Sequence, residues 1–351
     1  MPILADNVDI VIGVDSHRDN HVAAIIDPTT GAVVDDLTIV TDSDGYQQLS
    51  DWAHSRCPDG MMVWAVEGCG SYAAGLARHL QTADAWVIEV ERPARPSKQQ
   101  PAKTDLGDAV RAAREVLGRD IELLATPRQG PIRDRLAVLL MARQGAIDAA
   151  AAARCQLHAA ILTAPDLLRQ RFTGLPAKTK IRLAAGLRPD SYTNPETGDH
   201  ARALQSIAER CQHNYQQANT LERQITELVK NWRPDLLELA GIGPITAANV
   251  LCAWSHPTRF RSEAAFAMCA GTAPIPASSG LTNRHRLNPG GDRQLNRHIH
   301  TIAVTRLRCD PETITYRHRR RAEGKTDREI RRCIKRYITR QLFKQLQHPP
   351  T

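Results

Sequence analysis

An apolar run that ends in a carboxylate, Val8-Asp9-Ile10-Val11-Ile12-Gly13-Val14-Asp15, constrains this chain more than any other feature. Residues 8–14 read as a buried strand, which needs a sheet and a covering layer around it. A second strand over 21–26 runs into Asp27-Pro28-Thr29-Thr30-Gly31, a strong turn signal, and Val33 to Val40 makes a third. A short helix from about Tyr46 follows, then a strand from Met61 to Val66, a helix from about Ser71 to Leu80, and a strand from Ala85 to Val90. Three consecutive strands followed by strand and helix alternation predict an α/β fold, a mixed sheet covered by helices.

Residues 91–104 form a Pro/Lys/Arg-rich loop that delivers the chain to a helix over about 105–118. Beyond Pro131 the pattern changes: Ile132, Leu136, Leu139 and Leu140 recur at helical spacing, and an alanine-rich run around 146–160 continues it. After a loop over 186–200, Leu221, Ile225, Leu228 and Val229 mark another amphipathic helix. The middle section thus reads as a helical hairpin or coiled-coil arm, although a compact bundle has the same periodicity. The last third begins at Trp232-Arg233-Pro234 and holds a Gly-Ile-Gly-Pro turn at 241–244, a Gly/Pro/Ser-rich loop at 271–291, and two helical stretches up to about Leu346. The expected organisation is a catalytic domain over 1–130, a helical arm over 131–232 and a C-terminal domain over 233–351. No internal repeat is evident.

The formal charge of +8 permits a polyanionic partner, and its location is informative. Between Arg317 and Arg340 eleven Lys or Arg face three acids, a local excess of eight that equals the whole formal charge. Aromatic residues are only 4%, so base stacking on several exposed rings is not the expected mode of contact. The eight cysteines form no CxxC pair, which excludes a zinc ribbon and a thioredoxin-like site and favours free thiols in a reducing compartment. No basic-then-apolar leader and no apolar stretch near the roughly 18 residues of a membrane helix are expected. A soluble, cytoplasmic protein without membrane contact, nucleoid-associated when acting on DNA, is the corresponding expectation.

Asp15 follows the first strand, Glu67 ends the Trp64-Ala65-Val66 strand, and Asp105 and Asp108, three apart, project from one face of their helix. If the two strands are neighbours and the helix packs across their ends, four carboxylates converge, and such a cluster repels itself unless hard cations such as Mg²⁺ occupy it. Two ions about 4 Å apart suit phosphodiester chemistry, one at the attacking and one at the departing oxygen. Each residue also has an ordinary reading: Asp15 opening a turn, Glu67 solvated at a strand end, Asp105 and Asp108 as an N-cap and an N3 acid.

In Leu239-Ala240-Gly241-Ile242-Gly243-Pro244-Ile245-Thr246-Ala247 two glycines permit a tight turn and the proline starts a helix, the helix-hairpin-helix pattern of non-specific phosphate contact through Gly241, Gly243 and Thr246; a plain helix-to-helix turn is the alternative. The Gly271 to Gly280 loop contains Ser278 and Ser279, with no His/Asp arrangement nearby to activate a hydroxyl. In the basic tail Ile330, Ile334 and Ile338 form an i, i+4, i+8 stripe, leaving Arg320, Arg321, Lys325, Arg328 and Arg332 for a nucleic-acid backbone, a contact that weakens steeply with salt.

These segments together resemble the IS110-type (DEDD) transposases, related to the Piv-type DNA invertases, over nearly the whole chain. The resemblance is carried by Ile12-Gly13-Val14-Asp15 and the residues up to Ala24, by Val66-Glu67, by Lys103-Thr104-Asp105-Leu106-Gly107-Asp108-Ala109, by Leu239 to Ala247, Arg259-Phe260, the Gly271 to Gly280 loop and Arg320-Arg321-Ala322-Glu323-Gly324-Lys325. It implies a RuvC-like, RNase H-type sheet with flanking helices, a helical arm, and a C-terminal domain with helix-hairpin-helix, serine loop and basic tail. It further implies a metal-binding tetrad of Asp15, Glu67, Asp105 and Asp108, Mg²⁺ as cofactor, and a nucleophilic Ser279, with Ser278 as second choice, that forms a covalent serine-DNA intermediate. Implied partners are double-stranded donor and target DNA, a noncoding bridge RNA, and further copies of the chain in a dimer or tetramer. Asn288 to Arg297 departs from the family pattern through a loss of basic residues, for which Arg284 and Arg286 can compensate. Two rival readings are a RuvC-like structure-specific nuclease that uses water, and a non-catalytic nucleic-acid-binding protein.

Overall fold

The computed structural model describes residues 2–90, 104–276, 285–286, 288 and 290–348. Two compact units emerge: residues 1–133, 238–242 and 249–351 in one, and 134–237 with 243–248 in the other.

The first unit is built on five strands, β1 (Ile10–Ser16), β2 (Asn20–Ile26), β3 (Val33–Val40), β4 (Met62–Glu67) and β5 (Val87–Val90), in the order β3-β2-β1-β4-β5. β1 pairs antiparallel with β2 and parallel with β4, so the expected mixed sheet is present with β1 at its centre. Because side chains alternate along a strand, Ile10, Ile12 and Val14 enter one core and Val11 the other. The first core is closed by α1 (Ser43–Arg56) and α2 (Ala74–Thr82), and the second by α3 (Asp105–Leu117), which buries Ala109, Ala112, Ala113 and Val116. This arrangement, helices on both faces of a mixed sheet, is that expected of a RuvC-like, RNase H-type core.

In the second unit, most of α4 (Pro131–Leu162) runs antiparallel to most of α7 (Pro195–Trp232), with Arg143 reaching Glu222 at 2.7 Å and the Cys211 thiol donating to the Ala150 carbonyl. Two short helices, α5 (Asp166–Phe172) and α6 (Ala177–Ala185), lie between them in sequence. α4 is long and apolar enough, by length and composition alone, to cross a membrane. That corrects the expectation that no stretch qualifies: its alanines raise hydropathy without the bulk that a reader of Leu and Ile periodicity looks for.

Towards the C-terminus come α8 (Pro244–Trp254), α9 (Glu263–Cys269), the two-residue strands β6 (Ile275–Pro276) and β7 (His285–Arg286), α10 (Arg293–Cys309), α11 (Pro311–Ala322) and α12 (Asp327–Gln347). Three helices thus follow the loop where two stretches were expected. Asp310 caps α11 at the Thr313 amide, Pro311 prevents α10 from continuing, and Gly324 (φ +81°) with the Thr326/Glu329 capping box separates α11 from α12. The Ile330, Ile334, Ile338 stripe is buried, as its spacing predicts.

Candidate active site

β1 and β4 are aligned so that Val14 lies beside Val66, which sets Asp15 and Glu67 next to each other at the ends of adjacent parallel strands. The alternation that sends Val14 and Val66 into the α1/α2 core turns the following residues toward the α3 face. α3 can reach that corner because Gly13 has no side chain: a Cβ there would stand 2.0 Å from the Ala109 carbonyl oxygen and 2.8 Å from the Ala113 nitrogen. The helix begins with Thr104, whose hydroxyl accepts from the Gly107 amide at 3.1 Å. Asp105 therefore occupies the first helical position and is not the N-cap, so its carboxylate is not consumed in capping.

At this corner His17 Nε2 lies 3.0 Å from Asp15 Oδ2 and 3.4 Å from Asp105 Oδ1. Ligand atoms of Asp15, His17 and Asp105 all fall within 4.8 Å of one another, a group able to hold a metal ion. Asp108, buried one turn further along α3, is paired with Arg111 at 2.6 Å. Glu67 accepts at its backbone carbonyl from the Ser16 hydroxyl at 3.0 Å, which ties the two strand ends together. Among the described residues the close group comprises Asp15, His17 and Asp105, with Glu67 and Asp108 beside it and not in it. Burial pushes the Asp15 carboxyl above its ordinary range; His17 pulls it down, while Asp108 and Asp105 push it further up. The donor set of hard oxygens plus one imidazole suits a divalent cation. His17 was missed from the sequence; its signal was its place two residues beyond Asp15, the spacing that returns a side chain to the same side of extended chain.

The residues expected to touch nucleic acid divide by their surroundings. Gly241 has φ +80° and makes the tight turn, but a Cβ there would meet the Ile302 carbonyl oxygen at 3.2 Å, and the Ala240 carbonyl accepts from Arg306 Nε at 2.7 Å, so α10 covers this side of the turn. Thr246 is buried, and nothing crowds Gly243. Arg320 pairs with Glu323, and Arg321 with Asp327 at 2.7 Å, whereas Lys325, Arg328 and Arg332 are exposed. Arg286 is in β7, opposite Ile275. Ser278, Ser279 and Arg284 lie outside the described residues.

Sequence reasoning also missed a buried ionic network that joins the C-terminal segment to the sheet within the first unit. Glu89 on β5 contacts Arg259 at 2.6 Å and Arg128 at 2.7 Å, and Arg128 also reaches Asp292 at 3.2 Å. Burial pushes Glu89 up, yet Arg259 and Arg128 outweigh it and hold the carboxyl below its ordinary range. Arg259 additionally donates to the Ala253 carbonyl at 3.0 Å and to the Thr126 carbonyl.

Two family models match the chain: a DEDD transposase model of IS110 type over residues 12–164, and "Transposase IS116/IS110/IS902 family" over residues 234–318. The chain is 36% identical over 135 residues to an insertion element IS110 uncharacterized 43.6 kDa protein of Streptomyces coelicolor, 38% of this chain and 33% of that protein. It is also 36% identical over 92 residues to an insertion element IS900 uncharacterized 42 kDa protein of Mycobacterium paratuberculosis, 26% of this chain and 23% of that protein. The matches thus span about a third and a quarter of the length of these relatives.

Proposed function

Because two transposase family models of IS110 type match the chain, over residues 12–164 and 234–318, we propose that it is a DNA recombinase whose metal-bound carboxylate site acts together with a serine nucleophile. The observation that carries this reading is the junction of β1, β4 and α3, where Asp15, Asp105 and His17 approach within ligand distance and Glu67 and Asp108 stand alongside. Asp15, Glu67, Asp105 and Asp108 would hold two Mg²⁺ ions, which supply Lewis-acid stabilisation of charge on the phosphate oxygens. The protein's own part begins with Thr104 and Gly13, which place α3 so that both of its carboxylates face the strand ends. Ser279 is assigned the nucleophile's role and Ser278 is second choice. Its oxygen forms a bond to the scissile phosphorus, the bond to one DNA oxygen breaks and that oxygen takes up a proton, and the phosphoserine linkage retains the energy needed to rejoin a second strand.

The partners proposed on family grounds are donor and target duplexes, a noncoding bridge RNA, and further copies of the chain in a dimer or tetramer. Phosphate contact is assigned to the uncrowded Gly243, to Arg284 and Arg286, and to Arg320, Arg321, Lys325, Arg328 and Arg332 of the basic tail, while Gly241 shapes the turn and Thr246 packs inside it. The test is a trap for covalent protein on nicked duplex in Mg²⁺. Wild type is expected to form an adduct, Ser279→Ala to form none, and Asp15→Ala to lose both adduct and cleavage. Cleavage by Ser279→Ala and Ser278→Ala alike, without adduct, would leave a water-using nuclease, and no cleavage by wild type with Mg²⁺ or with EDTA would leave a binding protein.

A further inference from the structure

The second unit contains a turn that the sequence alone did not single out. Phe172-Thr173-Gly174-Leu175-Pro176-Ala177-Lys178-Thr179-Lys180 joins α5 to α6, and it matches Leu239 to Ala247 in its glycine and threonine and in apolar character on either side of the glycine. The backbones agree as well. Gly174 has φ +73° and Gly241 φ +80°. The Leu175 amide donates to the Phe172 carbonyl at 3.3 Å as the Ile242 amide does to Leu239 at 3.1 Å, and Lys180 bonds Pro176 at 3.0 Å as Ala247 bonds Gly243 at 2.9 Å. The chain therefore makes one kind of helix-to-helix turn twice.

The two copies differ where a ligand would approach. α10 covers Gly241, whereas a Cβ at Gly174 would meet nothing within 4 Å. The helix after Gly243 has no basic residue in its first or last turn, whereas the segment from Asp166 to Asp190 carries six Lys or Arg against two Asp. Two of those six are engaged, Arg169 with Asp166 and Arg171 with the Tyr192 hydroxyl just beyond the segment at 2.6 Å. Lys178, Lys180, Arg182 and Arg188 have no ion pair or side-chain hydrogen bond among the described residues, and all but the half-buried Lys180 are exposed. Folding of this unit uses Phe172, Ile181 and Ala184 as core and leaves Lys178, Arg182 and Arg188 to solvent, with Lys180 half-exposed beside them.

We propose that this basic hairpin, around Lys178, Lys180, Arg182 and Arg188, is a second docking surface for duplex DNA, one that grips the phosphate backbone without reading sequence. The surface rests on the reading of the chain as a DNA enzyme but is separate from the carboxylate site and from the basic tail. Charge complementarity argues for DNA: four cations without ion pairs among the described residues, three of them exposed, match a surface with a negative charge about every 1.7 Å of duplex axis.

The test is fluorescence anisotropy of the full chain on a 30-base-pair duplex of arbitrary sequence, in EDTA, across a salt series. Lys178→Gln/Lys180→Gln/Arg182→Gln is expected to weaken binding on the order of tenfold and to reduce the log-log salt slope by roughly 3, about 0.9 for each phosphate contact removed. Lys178→Arg/Lys180→Arg is expected to bind as wild type. Lys178→Gln/Arg188→Gln, confined to exposed side chains, guards against misfolding and is expected to take about 2 from the slope. An unchanged slope in the triple variant overturns the proposal, as does a loss seen only with RNA of equal length. A loss accompanied by a smaller oligomer in light scattering overturns it too, since the hairpin would then be a contact between copies. A wild-type chain that binds no duplex at all defeats the underlying DNA reading, whereas a binding wild type with an unchanged variant defeats only the hairpin.

Discussion

At Asp15 burial and two neighbouring carboxylates oppose ionisation, while the His17 imidazole favours it. The balance raises the folded carboxyl above the unfolded value of 3.8, so its charge costs stability at neutral pH and that cost is relieved as pH falls through the raised value. Asp15→Asn is therefore expected to melt at or above wild type in EDTA at pH 7, a gain that closes as the pH is lowered. Mg²⁺ should raise the melting temperature of wild type and not of the variant. A metal-free variant that melts well below wild type would mean that the Asp15 charge is a net stabiliser. The first Asp was visible in the sequence because an apolar strand ended on it. His17 was not, because its role depends on α3 bringing Asp105 to the other side of the ring.

Among the elements, α3 and β1 depend on each other at Gly13. A methyl group there overlaps the Ala109 backbone, which no rotamer change can relieve, so Gly13→Ala is expected to lower the urea midpoint by an amount equivalent to about 3 kcal/mol of unfolding free energy and to weaken Mg²⁺ binding as α3 shifts. Equal midpoints for variant and wild type would disprove this close approach. The strands and α3 were legible because apolar period distinguishes strand from helix and the sequence before α3 carries three prolines, at 93, 96 and 101. The cap was misread in one alternative: both Thr104 and Asp105 are capping residue types, and the backbone geometry that chooses Thr104 is set by where the helix packs. The separation of α11 from α12 could have been taken from Asp310-Pro311 and Gly324-Lys325-Thr326, which are ordinary stop and start signals.

Across the molecule, the C-terminal segment is fastened to the sheet by the buried Arg259 and by Glu89, whose side chain is 9% exposed. Arg259→Met leaves that carboxylate with one partner fewer in a dry setting, and a loss of about 3–5 kcal/mol in chemical denaturation is expected. Glu89 is held below its ordinary 4.5, so its contribution is fully present above that value and is lost as pH falls through the folded value. In Arg259→Met the Glu89 carboxyl should rise, and the acid-side loss of stability should shrink relative to wild type. A parallel pH profile for the two proteins would deny the coupling. By itself the sequence determined the alternation of strands and helices, the strand-end carboxylates Asp15 and Glu67, the buried isoleucine stripe of α12 and the likeness to IS110-type transposases, because each is written in local spacing or in a motif. Tertiary structure alone decided that β1 and β4 are neighbours in the register that aligns Asp15 with Glu67, that His17 joins Asp15 and Asp105, that Arg259 meets Glu89, and that the Gly241 turn is covered while the Gly174 turn is open. Each of these depends on contacts between residues far apart in the chain, which no periodicity records.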